Sequence, residues 1–231
     1  MFNAVELQDT FYDRPDPDRL AKLASEAPGG FSFTMKAWQA VTHPIDSPTW
    51  RRARVKLSAE LADKYGNLRT TKENLEAWDL VERAARSLGA RVVVVQTPPS
   101  FGYSEDNERQ AREFFNTVHT KDFIVGWEPR GSWRERPDRI LRVIGDLENV
   151  IHVVDPFKSE PVKESPSTYF RLHGIGRGEV NYRYKYTEED LRNLCNKARE
   201  RSLRGEVFIM FNNVYMKEDA QEFLKICRPT S

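Results

Sequence analysis

Leu75-Glu76-Ala77-Trp78-Asp79-Leu80-Val81-Glu82-Arg83-Ala84-Ala85-Arg86-Ser87-Leu88-Gly89-Ala90-Arg91-Val92-Val93-Val94-Val95-Gln96 is the stretch on which the fold turns. Leu75, Trp78, Val81, Ala85 and Leu88 recur at helical spacing and give one helix an apolar stripe. Thr70-Thr71-Lys72-Glu73 upstream has the capping-box pattern, and Gly89 supplies the stop. Residues 91–96 then read as a strand whose four valines are the longest unbroken aliphatic run of the chain.

The same alternation extends in both directions. Segments 3–8, 31–36, 91–96, 123–128, 151–155, 168–173 and 206–211 are strand-like, seven in all. Helical stripes lie between them: Leu20, Leu23, Ala24 and Ala27; Ala111, Phe114, Phe115 and Val118 after Ser104; and a helix from Thr187-Glu188-Glu189-Asp190 to Leu203. Strands alternating with helices are parallel strands joined by crossovers, either in an open doubly wound sheet or in a closed barrel. At period two, Glu6 and Gln8 share a face, and each later strand also ends in a polar residue: Lys36, Gln96, Glu128, Asp155, His173 and Asn212. An open sheet needs polar ends only near its switch point, whereas a barrel gathers all of them at one rim. The expectation is therefore one domain over 1–231, an α/β chain forming a TIM-type β/α barrel that is incomplete or distorted with seven recognisable strands. The crossover 155–167 carries Pro156, Pro161 and Pro166 without a helical stripe, and is expected to lack a helix.

Composition narrows the function classes. The chain has 231 residues, 39% hydrophobic and 31% charged, enough to bury a substantial core. Thirty-six basic residues against 35 acidic give a net charge of +1, which excludes a protein coated with positive potential. Arg51, Arg52, Arg54 and Lys56, and likewise Arg199, Arg201 and Arg204, read as solvated faces or local basic patches. No apolar run approaches the roughly 18 residues that a membrane helix requires, and 1–10 carries Glu6 and Asp9 where a basic leader segment would lie. Cys195 and Cys227 are too few and too far apart for a disulfide scaffold or a zinc ribbon, so Cys195, within the stripe Leu191, Leu194, Ala198, is expected to be a small buried hydrophobe. A cytoplasmic location follows from these readings.

Several strings resemble the domain-of-unknown-function 72 family, also called the YecE-like family. They are Val5-Glu6-Leu7-Gln8-Asp9-Thr10-Phe11-Tyr12, Phe31-Ser32-Phe33-Thr34-Met35-Lys36 with Thr42-His43, Gln96-Thr97-Pro98-Pro99-Ser100-Phe101, Trp127-Glu128-Pro129-Arg130 with Ser132-Trp133, Arg171-Leu172-His173-Gly174, and Phe211-Asn212-Asn213. The resemblance implies a TIM-barrel fold and brings no settled activity, substrate or cofactor. It also implies that the family's usual first strand is absent here. The edges around Val5 and Phe208 are then expected to be covered by a partner chain, by self-association or by distorted closure.

The rim residues offer three kinds of chemistry. Lys36, Arg130 and Arg171, with His43, can hold an anion, because guanidinium takes phosphate or carboxylate bidentately and lysine acts as a point charge; the competing reading is internal pairing with Glu6, Glu128 and Asp155. Glu6, Glu128 and His173 are the proton-transfer candidates. Gln96, Asp155, Asn212 and Asn213 complete the substrate-binding set. Oxygen and imidazole ligands for a metal are present, but no ligand-pair spacing supports one, so no metal is assigned and the cofactor is unknown. Trp38, Trp127 and Trp133 read either as stacking walls or as the top of the core. Gly174-Ile175-Gly176-Arg177-Gly178 matches no phosphate-loop pattern and reads as a flexible rim loop. Tyr182, Tyr184 and Tyr186 alternating with Arg183 and Lys185 fit base stacking, or a partly packed exposed loop. The leading expectation is an enzyme acting on an anionic, phosphate-bearing substrate at the carboxyl-terminal rim. The alternative is a non-catalytic barrel that binds nucleic acid or another protein.

Overall fold

The computed structural model describes residues 2–118 and 120–227. Its chain clusters into two compact units, Asn3–Val150 and Ile151–Ser231. In order the first unit contains β1 (Ala4–Leu7), α1 (Asp9–Tyr12), α2 (Pro17–Ser25), β2 (Ser32–Lys36), α3 (Gln39–Thr42), α4 (Lys72–Leu88), β3 (Val92–Gln96), α5 (Glu105–Thr117), β4 (Ile124–Glu128) and α6 (Pro137–Ile144). The chain enters β5 (Val150–His152) where that unit ends, and the second unit carries β6 (Ser167–Leu172), α7 (Glu188–Ser202), β7 (Glu206–Phe211) and α8 (Met216–Ile226).

Seven strands are present among the described residues, at the places the sequence pattern gives them, and they form an α/β fold. The larger sheet has the order β1-β2-β3-β4-β5 and the smaller pairs β6 with β7. The registers are parallel, pairing Glu6 with Thr34, Lys36 with Val94, Gln96 with Glu128, and Arg171 with Met210. The ladder runs one residue beyond the strands, with Ala37 donating to the Val94 carbonyl and Thr97 to that of Glu128. In the second unit the strand expected over 151–155 is shorter, and Val154 alone continues it by bridging to Phe170.

The deciding helix forms over Lys72–Leu88, with its cap one residue later than the pattern indicates. Thr71 is the N-cap and its hydroxyl accepts from Asn74, so Asn74 takes the position that a capping box gives to Glu or Gln. Gly89 ends the helix at φ 64°, a left-handed conformation open to glycine without cost. Asp16, Ser104 and Thr187 cap α2, α5 and α7, the last in a reciprocal box with Asp190. Trp78, Phe114, Phe115, Trp127 and Trp133 form a chain of edge-on and tilted ring contacts that fills the core of the first unit.

The proline-bearing segment after β5 has no helix. Ion pairs fix it instead: Glu160 accepts from Lys197 at 2.5 Å and Arg201 at 3.0 Å, and Glu164 pairs with Arg201 and Arg204. Arg201 and Arg204 thus lie in a salt-bridge network, not on a freely solvated face. A second correction concerns the cysteines. Cys195 and Cys227 are joined by a disulfide, their Cα atoms 5.4 Å apart, although 32 residues separate them in sequence. Cys195 is buried in the α7 stripe as expected, but sequence distance carried no information about its spatial distance from the end of α8.

Candidate functional site

In the first unit the site is built where β2, β3 and β4 end side by side. Lys36 ends β2, with its backbone carbonyl accepting from the Thr10 hydroxyl at 2.8 Å. Its ammonium lies 3.2 Å from Gln96 Oε1, at the end of β3, and 3.8 Å from the centroid of the Phe11 ring. At the end of β4, Glu128 Oε1 accepts from Arg130 at 2.7 Å. Lys36, Glu128 and Arg130 are only 6–7% exposed. Charges withdrawn this far from water persist only with compensating partners, which the pairing supplies here.

His43 follows α3 and is buried, edge-on to Phe11 at 4.9 Å, with Nδ1 2.8 Å from the Thr42 hydroxyl. Burial lowers its pKa to about 3, and the Lys36 charge adds to the effect. The imidazole is therefore neutral at physiological pH and acts as a polar wall, not as a cation on an anionic ligand. The segment leading to it is held from beneath by Gly66, Asn67 and Leu68, which donate to the carbonyls of Ala40, Thr42 and Val41. All three residues adopt left-handed φ, 77°, 54° and 57°. A Cβ on Gly66 would stand 2.4 Å from the His43 carbonyl oxygen.

Glu6 lies earlier on β1, half-buried, and Gln8 donates to it. Trp127 and Trp133 are fully buried and donate to Thr97 Oγ1 and to the Phe101 carbonyl. Trp38 is buried beside Trp50. These indoles build the core, and the stacking-wall reading is corrected accordingly.

In the second unit Arg171, the penultimate residue of β6, and His173, just after the strand, are both buried. His173 Nδ1 lies 3.0 Å from the Arg171 carbonyl, an acceptor that requires a proton on that nitrogen. Asp155 accepts from the backbone N–H groups of Phe157 and His173. Asn212 donates its backbone N–H to Leu172. Asn213 donates through Nδ2 to the Tyr184 carbonyl at 2.8 Å and to Asp219 Oδ2 at 2.6 Å. Asp219, on α8 and 2% exposed, also receives the Tyr186 backbone N–H. Sequence reading missed Asp219, although its spacing of four from the buried Phe223 was a usable signal for the inner face of a helix.

The tyrosine ladder divides. Tyr184 donates to Asp190 at 2.7 Å, and that bond raises its pKa to about 12. Tyr186 is buried, its hydroxyl accepting from the Gly174 N–H, and burial with the nearby Asp155 charge raises its pKa further. Tyr182 remains exposed. Gly174 thus has its N–H committed, and Asn181 donates to the Ile175 carbonyl, so this loop is held at two points. Among the described residues no three His, Cys, Asp or Glu side chains come close enough to hold a metal ion. No helix among them is long and apolar enough to cross a membrane.

The chain is similar in structure to a DUF72 family protein from Enterococcus faecalis V583, with 21% identity, TM-score 0.68, and coverage of 99% of this chain and 91% of that one. A DUF72 family protein from Thermotoga maritima MSB8 gives 24% identity, TM-score 0.67, and coverage of 97% and 83%. A D-tagatose 3-epimerase-like protein shares the fold more distantly, with 17% identity, TM-score 0.53, and coverage of 98% and 90%. No curated protein matches. Residues 1–227 match the family described as "Protein of unknown function DUF72", and the chain belongs to that family.

Proposed function

We propose that this chain is an enzyme of β/α-barrel design, one cytoplasmic domain, which binds a small phosphate-bearing anion where β2, β3 and β4 end. Lys36 and Arg130 take the anion and Glu128 moves a proton on the bound molecule. One observation carries this reading: a buried lysine, glutamate and arginine gathered at the carboxyl ends of adjacent parallel strands, with Gln96 between them. Fixed charges in a poorly solvated setting interact with a ligand far more strongly than surface charges do. Glu128 is preferred over Glu6 because it pairs with Arg130 and stands in register with Gln96, the partner of Lys36, and over His173 because that ring commits Nδ1 to a backbone carbonyl. The nucleic-acid reading loses its support where Tyr184 and Tyr186 are tied to Asp190 and Gly174.

The test is titration of the chain with inorganic phosphate and a set of small phosphomonoesters, read by NMR shifts of the Lys36 and Gln96 amides. Lys36→Met should weaken binding at least about tenfold, the value of one close charge-assisted contact. Glu128→Gln should keep binding and abolish turnover of whichever ester is consumed. Absence of binding to every anion in wild type would end the proposal.

A further inference from the structure

The second unit carries a covalent bond that no strand-end chemistry requires. α8 is lightly packed: its buried side chains are Asp219 and Phe223, while Met216 and Leu224 are exposed. It is fastened at two places. At its start the Asp219 carboxylate receives Asn213 Nδ2 and the Tyr186 N–H, and at its end Cys227 is bonded to Cys195 in the middle of α7. From Asp219 the connections continue inward, because the Tyr186 hydroxyl accepts from Gly174, the residue after His173. Asp219 of α8 thus holds Asn213 and the Tyr186 backbone directly, and it reaches the backbone beside His173 through the Tyr186 hydroxyl.

We propose that Cys195–Cys227 is a redox site, and that its oxidation state sets the order of α8 and of the β6 and β7 ends that α8 holds. The co-reactant is a dithiol. Cys227 is half-buried whereas Cys195 is 3% exposed within an apolar cluster of Phe170, Leu191, Leu194 and Phe223, so the incoming thiolate attacks Cys227 Sγ. A mixed disulfide forms there and the S–S bond breaks, with Cys195 leaving as a thiolate that takes a proton. The second thiol of the reagent then displaces Cys227, which is also protonated. In sum, the protein disulfide gains two electrons and two protons and the dithiol becomes a disulfide. α8 then loses its covalent tie and is left with the packing of Phe223 and Ile226 and the Asp219 contacts, and it opens more often.

Hydrogen exchange of the full chain, measured with and without dithiothreitol, tests this directly. Reduction should speed exchange at least about tenfold in peptides covering 173–186 and 216–226, and leave 92–96 unchanged. Re-oxidation should reverse the effect, and Cys227→Ser, which places a small polar group at a half-buried position, should reproduce the reduced pattern without any reagent. Thiol titration of the denatured, unreduced chain should find none, and two after reduction. Equal exchange in both states would overturn the proposal, as would two free thiols in the air-oxidised chain, or acceleration spread equally to 92–96.

Discussion

Lys36 Nζ stands 3.8 Å above the centroid of the Phe11 ring, and the same ring meets His43 edge-on at 4.9 Å. One aromatic side chain from α1 thus touches both a buried cation and a buried neutral imidazole. Its face, negative in the ring quadrupole, stabilises the ammonium, and its apolar bulk keeps water from the histidine.

The consequence for pH is signed. His43 has its pKa lowered from 6.5 to about 3, so between those values the unfolded chain binds a proton that the folded chain refuses. The stability this residue contributes is complete above pH 6.5 and is lost as pH falls from 6.5 toward 3, by about 1.4 kcal/mol per pH unit. Urea unfolding at pH 7.5 and pH 5 should show wild type losing roughly 2 kcal/mol more than His43→Gln. Equal losses in both proteins would show that the imidazole is not held neutral.

Gly66→Ala should cost roughly 2–4 kcal/mol in the same measurement, because it combines left-handed φ with a Cβ driven into the His43 carbonyl. Asn67→Gly, at φ 54° with no such approach, should be neutral or stabilising by up to about 1 kcal/mol. If the two substitutions behaved alike, the close packing of this turn on His43 would be refuted.

The Glu128–Arg130 pair should show strong coupling. Arg130→Met leaves a buried carboxylate without this partner and should cost about 3–5 kcal/mol, whereas the double change Glu128→Leu with Arg130→Met should recover most of that loss. A double-mutant cycle by chemical denaturation measures it, and simple additivity would show that the two charges are solvated independently.

Asp219→Ala removes the acceptor shared by Asn213 and the Tyr186 N–H, and a destabilisation of about 2–4 kcal/mol is expected. Exposed Lys217→Ala on the same helix should cost no more than about 0.5 kcal/mol. Comparable effects would place Asp219 in ordinary solvent contact.

Local rules written in the chain were enough to place its strands and the helices α2, α4, α5 and α7, while α1, α3, α6 and α8 were not read from it. The stripe Trp78, Val81, Ala85, Leu88 with Gly89, the caps at Ser104 and Thr187, and the strand ends at Lys36, Gln96 and Glu128 could be read because helix and strand periodicity, capping and glycine stops act over only a few residues. What each residue touches was decided by the tertiary structure. Cys195 meets Cys227 because α7 and α8 pack together, His43 is neutral because Phe11 and the Gly66 turn enclose it, and Tyr184 is structural because Asp190 lies within hydrogen-bond reach. Burial, ion pairing and disulfide bonding depend on distances between residues far apart in sequence, and periodicity holds no record of those distances.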